Sequence, residues 1–169
     1  MRLWVKSLYR KIFPLPVDSL INPLEAALSD CHIVLELGCG SHSQLQYLSL
    51  PFSIGVDIFE PYLSESKKKI IHHQYIKGNV NEIEFKEKSV DAVVCLEVIE
   101  HLTKEEGYKL IKKMEKIARK KIILSTPNGY YPQNEYDGNP YQQHKSAWSI
   151  KDFKDLGFEV YGLGEFKSL

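Results

Sequence analysis

From Ile33 onward, short apolar runs alternate with amphipathic stretches, and this alternation leaves the chain few architectures to choose from. "HIVLEL", "FSIGVDI", "IIHHQYIKG", "VDAVVCL" and "KIILS" read as five strands rich in Val, Ile and Leu. Between them "SQLQYLSL", "PYLSESKKK" and "TKEEGYKLIKKMEKIAR" read as helices, the last with Thr103 as N-cap and Glu106 completing a capping box. Apolar strands separated by helices predict a parallel sheet covered on both faces. At 169 residues the chain is a single domain, 1–169, able to bury about two-thirds of its unfolded surface in one core.

Charge narrows the partners. With 22 Lys+Arg against 22 Asp+Glu the net charge is +0, so no global field draws the chain to nucleic acid. Cys31, Cys39 and Cys95 show no metal-ligand spacing, so they read as reduced, buried thiols of a cytoplasmic protein, and no metal site is expected. In "MRLWVKSLYRKIFPLP", Lys6, Arg10 and Lys11 interrupt any secretory apolar core. No run approaches the ~18 apolar residues of a membrane span. Trp4, Leu8 and Ile12 fall four apart and predict a basic amphipathic helix stopped by Pro14 and Pro16. It packs on its own domain or, through residues 1–13, makes peripheral membrane or substrate-entry contact; both readings stay open. Lys67 to Lys69 and the lysines from Lys109 to Lys121 read as solvated helix faces, and His72 and His73 as lying near a strand's exposed end.

The first strand runs into "GCG". In an open parallel sheet ligands bind beyond the carboxyl ends of the strands, where the topology reverses, and residues without a Cβ let the backbone approach a ligand closely. Gly38 and Gly40 sit there. The second strand ends in Asp57, whose carboxylate can accept both hydroxyls of a ribose. A dinucleotide loop needs a third glycine at position 43, where Ser43 stands, so a nicotinamide oxidoreductase fits poorly. Glu36 would repel a pyrophosphate but suits a cationic ammonium or sulfonium group. S-adenosylmethionine carries both.

"VLELGCGSHS", "GVDIFEP", "IKGNVNEIEF", "VDAVVCLEVIEHL" and "KKIILSTPNG", in that order, resemble the successive motifs of the class I S-adenosylmethionine-dependent methyltransferases, within a small-molecule branch similar to the quinone-biosynthesis enzymes. The resemblance covers about residues 33 to 128. It implies an α/β, three-layer, Rossmann-like fold with a mostly parallel central sheet, and it leaves open whether the last antiparallel strand of such families is there. The chain thus divides into an N-terminal helical segment over 1–30, a cofactor-binding core over 31–128, and an acceptor-side loop, helix and last strand over 129–169. Glu36, Gly38, Cys39 and Gly40 would border the methionine half of the cofactor, Asp57 would hold the ribose, and Ile58, Asn79 and Val80 would meet the adenine. Leu96 and Glu97 would flank the sulfonium. His42 and Asn79 depart from the family pattern: a small residue is usual at the first and an acid at the second.

Methyl transfer is a direct displacement that needs a base only if the acceptor is a hydroxyl or a carbon acid. His101, after the fourth strand, is the first candidate and His144 the second. His144 lies in "TPNGYYPQNEYDGNPYQQHKSAW", a loop long enough to wall a binding site, where Tyr130, Tyr131, Tyr136 and Tyr141 could line a small-molecule acceptor pocket. A non-catalytic cofactor-binding module that regulates a partner is the alternative; oligomeric state is not indicated. After "FEVYG" the chain has room either for the last strand to pair directly with the fifth or for further sequence beyond it.

Overall fold

The computed structural model describes residues 3–8 and 20–162. Its strands are β1 (Leu3–Leu8), β2 (Ile33–Leu37), β3 (Phe52–Asp57), β4 (Gln74–Lys77), β5 (Val90–Leu96), β6 (Ala118–Pro127) and β7 (Phe158–Gly162). They form one sheet in the order β4-β3-β2-β5-β6-β1-β7, with every neighbouring pair parallel. The helices are α1 (Ile21–Leu28), α2 (Glu60–Lys68), α3 (Lys104–Ile117) and α4 (Ile150–Asp155).

Side chains alternate across a strand, so strands apolar at every position need cover on both faces. On one face Val34, Ala92, Val94 and Ile123 pack with Leu24, Ala27 and Leu28 of α1. On the other, Leu35, Leu37, Val93, Cys95, Ile122 and Leu124 pack with Leu110, Ile111, Met114 and Ile117 of α3, joined by Trp148 and Phe153. This is the expected three-layer α/β arrangement. The chain crosses from the β4 edge back to β5 beside β2, so the topology reverses between β2 and β5. A ligand cleft is expected beyond their carboxyl ends.

α3 carries the expected capping box, with Thr103 accepting from the Glu106 N–H and the Glu106 carboxylate accepting from Thr103 N–H at 2.8 Å. "SQLQYLSL" gives only a tight turn at Gln44–Tyr47, capped by Ser43. The strand expected from Ile70 begins at Gln74, because the chain leaves α2 through Ile70 in a left-handed conformation (φ 55°). His72 is buried in that connection, contrary to expectation. Of the α3-region lysines expected to be solvated, Lys113 and Lys121 are turned inward: Lys113 donates to the carbonyls of Asn81 and Ile83, and Lys121 to Ala27 and Asp30.

The N-terminal expectation is corrected. Residues 3–8 form a strand inserted between β6 and β7, in register with each over five residues, while residues 9–13 lie outside the described residues. A spacing of four, as in Trp4 and Leu8, is compatible with both helical and strand periods, and pairing with two neighbours decides for the strand. The basis for a membrane-surface helix over 3–8 is thereby removed. The last strand does not pair directly with β6, since β7 pairs with β1; the sheet has no antiparallel pair among the described residues, in line with the expectation that the last antiparallel strand could be lacking. No helix among them is long and apolar enough to cross a membrane.

Candidate active site

β2 delivers the chain to Gly38 at the switch point. The N–H groups of Gly38 and Cys39 both donate to the Val56 carbonyl, at 2.8 and 2.9 Å, which hooks the loop onto the end of β3. Gly38 has φ +76°, and a Cβ there would lie 2.3 Å from Val98 Cγ2, so both conformation and space require glycine. At Gly40 (φ +56°) a Cβ would meet nothing within 4 Å, because that side opens on a cavity. Asp57 fixes the loop from β3: one carboxylate oxygen accepts the Gly40 N–H at 2.8 Å and the other the Phe59 N–H at 2.8 Å. Burial pushes the Asp57 carboxyl up, partly offset by those two N–H bonds. Each oxygen keeps a lone pair for a further donor.

The cavity measures about 610 Å³, the size of a cofactor pocket. Glu36, Gly38, Cys39, Gly40, Asp57, Ile58, Asn79, Val80, Leu96 and Glu97 all line it, as does His101. Burial pushes the Cys39 thiol well up, with the charges of Glu36 and Asp57 adding, so it stays protonated. Asn79 is engaged locally, accepting from Asn81 N–H and donating to Glu82. His42 is exposed, 2.6 Å from Lys69 Nζ. Tyr62 on α2 lines the cavity together with Tyr136, Asn139 and Tyr141 of the 128–148 loop, which thus forms part of its wall. The loop is pinned at its base by Trp148, whose indole N–H donates to Ser146 at 2.9 Å and whose carbonyl accepts from Gly129 N–H at 2.7 Å.

Glu97, His101 and Gln142 also border a second, adjoining cavity of about 520 Å³, with Glu100 and His144. Ligand atoms of Glu100, His101 and His144 all lie within 4.8 Å of one another. The His101 and His144 ring centroids are 4.8 Å apart. His101 Nδ1 lies 3.3 Å from the Gln143 carbonyl and His144 Nδ1 2.6 Å from the Tyr131 carbonyl. A carbonyl can only accept, so each Nδ1 carries the hydrogen and a neutral ring keeps the Nε2 lone pair free. Burial holds the His101 imidazole below its ordinary value, with His144 adding to the effect. Burial pushes the Glu100 carboxyl well above the usual range, and the neighbouring Glu97 charge raises it further. Burial raises Glu97 too, although Ser125 donates to it at 2.7 Å. Thr126 donates to Glu100 at 3.0 Å, and no lysine or arginine among the described residues pairs with either carboxylate. The Glu100 carboxylate and the two imidazoles, with Glu97 lining the same cavity and no fixed cation beside them, form a donor set suited to a divalent ion.

A glycine loop at the switch point, a ribose-ready carboxylate on the next strand and a cofactor-sized cavity are now in place. The sequence profile of the family described as "Methyltransferase domain" matches residues 35–124, more than half of the chain. The chain belongs to this family. It is a class I S-adenosylmethionine-dependent methyltransferase. The small RNA 2′-O-methyltransferase of Arabidopsis thaliana is 28% identical over 159 residues, matching 74% of this chain; the chain spans only 17% of that protein. The ubiquinone biosynthesis O-methyltransferase of Rickettsia bellii (strain OSU 85-389) is 23% identical over 191 residues, covering 93% of this chain and 78% of that protein. The crystal structure of magnesium protoporphyrin IX methyltransferase from Synechocystis, with bound S-adenosylhomocysteine, superposes with a TM-score of 0.60 at 18% identity over 83% of this chain and 70% of that one.

The methyltransferase's cavity fits its cofactor: open space at Gly40, a buried carboxylate at each end of the loop, and residues from β2, β3 and β5 converging on one volume. All the sequence-predicted cofactor residues meet there, and His144 joins His101 from the far loop. Sequence reading missed Glu100, Tyr62 and His72. The cluster of two acids and a histidine in "LEVIEH", just past the fourth strand, was the available signal for the first.

Proposed function

We propose that this methyltransferase methylates a hydroxyl of a small, polar, uncharged acceptor, assisted by a divalent cation held by Glu97, Glu100, His101 and His144. The observation that carries this reading is the convergence of the Glu100, His101 and His144 ligand atoms within 4.8 Å, in a cavity sharing Glu97 and His101 with the cofactor cavity. S-adenosylmethionine, when bound, supplies a methyl group on a sulfonium whose positive charge already favours its departure. A cation in the cluster would polarise an acceptor hydroxyl and make it easier to ionise. Glu36, Gly38, Cys39 and Gly40 border the methionine half, Asp57 accepts from the ribose, Ile58, Asn79 and Val80 contact the adenine, and Leu96 and Glu97 flank the sulfonium. The loop residues exclude water and align the acceptor.

Transfer to a hydroxyl releases one proton. The free Nε2 of His101 supports a second reading in which that atom takes the proton directly and no cation takes part. The 128–148 loop contributes Tyr136, Asn139, Tyr141 and Gln142 to the cavity wall with a single cation, Lys145, a lining that suits a phenol or polyol. The plant and Rickettsia relatives are both O-methyltransferases by name, which supports a hydroxyl acceptor. The buried free thiols fit a reducing compartment, and we place the protein in the cytoplasm.

The test is S-adenosylhomocysteine production with catechols, monosaccharides and an RNA ending in a free 2′,3′-diol, each with Mg²⁺, Mn²⁺ or EDTA. Turnover of a catechol or sugar that EDTA and Glu100→Gln abolish is the expected result. Turnover that survives EDTA but not His101→Ala replaces the cation with the histidine base. Turnover of the RNA alone overturns the small-acceptor reading.

A further inference from the structure

Glu36 and Gly55 stand opposite each other in the β2–β3 register, and both touch a residue outside the site described so far. His72 has a fully buried side chain, with Nε2 2.9 Å from Glu36 Oε2. A Cβ on Gly55 would come within 2.5 Å of His72 Cδ2, so the glycine inside a buried strand is explained by the room the imidazole needs. The His72 backbone N–H donates to the Tyr75 hydroxyl at 2.8 Å, which donates to the Ser66 carbonyl at 2.8 Å, and the Tyr75 ring stands edge-on to the imidazole. The segment is thus fixed from α2 and β4 at once.

Both groups that hold Glu36 act on the same oxygen. Ser43 Oγ donates to Oε2 at 2.6 Å, and His72 Nε2 approaches Oε2, at ion-pair distance but off the line of a well-aligned N–H bond. His72 Nδ1 has no partner. Oε1 receives no hydrogen bond among the described residues and belongs to a side chain that lines the cofactor cavity. A buried carboxylate stays charged and oriented only when other groups compensate it. We propose that His72 is a positioning residue for the cofactor's amino-acid end: with Ser43 it clamps Oε2 so that Oε1 is presented to the ligand's ammonium. This rests on the reading that Glu36 faces the ammonium.

The test compares two ligands by calorimetry. S-adenosylhomocysteine carries the ammonium, and 5′-methylthioadenosine shares the nucleoside but lacks the amino-acid half. In His72→Leu, affinity for the first falls about tenfold or more, as expected when Glu36 loses one of the two groups that hold it in place, while affinity for the second stays within about twofold. His72→Gln, which can again place an N–H near Oε2, recovers most of the loss. Gly55→Ala, which pushes the ring from its place, reproduces the selective loss and decides the question if His72→Leu does not fold. Equal weakening of both ligands would mean a merely structural role and overturn the proposal. So would unchanged or tighter S-adenosylhomocysteine binding in folded His72→Leu, the latter because the ring would then compete with the ammonium. Glu36→Gln separates the two levels. If it leaves S-adenosylhomocysteine affinity unchanged, the placement of the ammonium is wrong and the proposal falls with it. If it weakens binding while the His72 variants do not, only the role of His72 falls.

Discussion

Two glycines of one loop answer to different constraints, and substitution separates them. At Gly38 an alanine would force a non-glycine residue into positive φ and drive its Cβ into Val98, whose own Cβ is 3.3 Å away and cannot swing aside. Strain and overpacking together predict a loss of about 2–4 kcal/mol. Gly40→Ala meets only the strain, about 1–2 kcal/mol, but its methyl enters the cavity. Urea unfolding therefore shows Gly38→Ala as the less stable protein, while calorimetry shows Gly40→Ala folded yet poor in S-adenosylhomocysteine binding. Asp57 gives a pH prediction with two opposite signs. Its folded value is raised by burial, so just above the ordinary carboxylate value the native state holds a proton that the unfolded chain has lost. The stability it contributes is present at lower pH and is lost as pH rises through the raised value. Ribose hydroxyls donate to the ionised form, so cofactor affinity rises over that same interval. A pH series of urea midpoints and binding constants shows the two trends diverge, and Asp57→Asn flattens both. Gly38, Gly40 and Asp57 were legible in the sequence because their chemistry is local. His72 was not, because its burial depends on a carboxylate and a missing Cβ on two other strands.

The elements follow the same division between local and distant causes. β5 was read to the residue because a run apolar but for Asp91, set between turns, admits little else, and α3 was fixed by its capping box. The loop from Asn128 to Trp148 was legible only as a loop; its shape depends on Trp148 docking against α3 and α4. Gly107 is where α3 makes room for it, since a Cβ there would lie 2.4 Å from Trp148 Cζ2 and 3.0 Å from Ile99 Cγ1. Intrinsic propensity alone would make Gly107→Ala stabilising by about 1 kcal/mol. The buried indole, stacked on Phe153 with Lys104 Nζ 3.8 Å from its centroid, has no free direction in which to retreat. The net effect is therefore a loss, seen as a melting temperature lower by several degrees. Because His144 follows the loop, turnover falls further than cofactor affinity does. A rise in melting temperature would show that the indole relocates at little cost.

At the scale of the whole molecule, one edge of the sheet is assembled from both ends of the described chain. β1 lies between β6 and β7, so among the described residues β7 is hydrogen-bonded into the sheet through β1, and α4 packs on β7. This arrangement was invisible to local reading, because a strand that is completed by partners more than a hundred residues away carries no period that a helix could not share. Its consequence is a dependence of the C-terminal elements on the N-terminal ones, and a backbone substitution exposes it. Proline at position 5 removes an N–H from a strand flanked on both sides, a position that sheets do not tolerate. Val5→Pro is expected to cost about 3 kcal/mol or more and, in hydrogen exchange, to release the amides of β7 first, while β2, β3 and β5 keep their protection. Cofactor binding at the proposed site, which lies away from the β7 edge, is then expected to outlast the loss of that edge. If β7 keeps its protection in Val5→Pro, the edge is held by α4 and the core rather than by β1, and the two ends of the chain are independent.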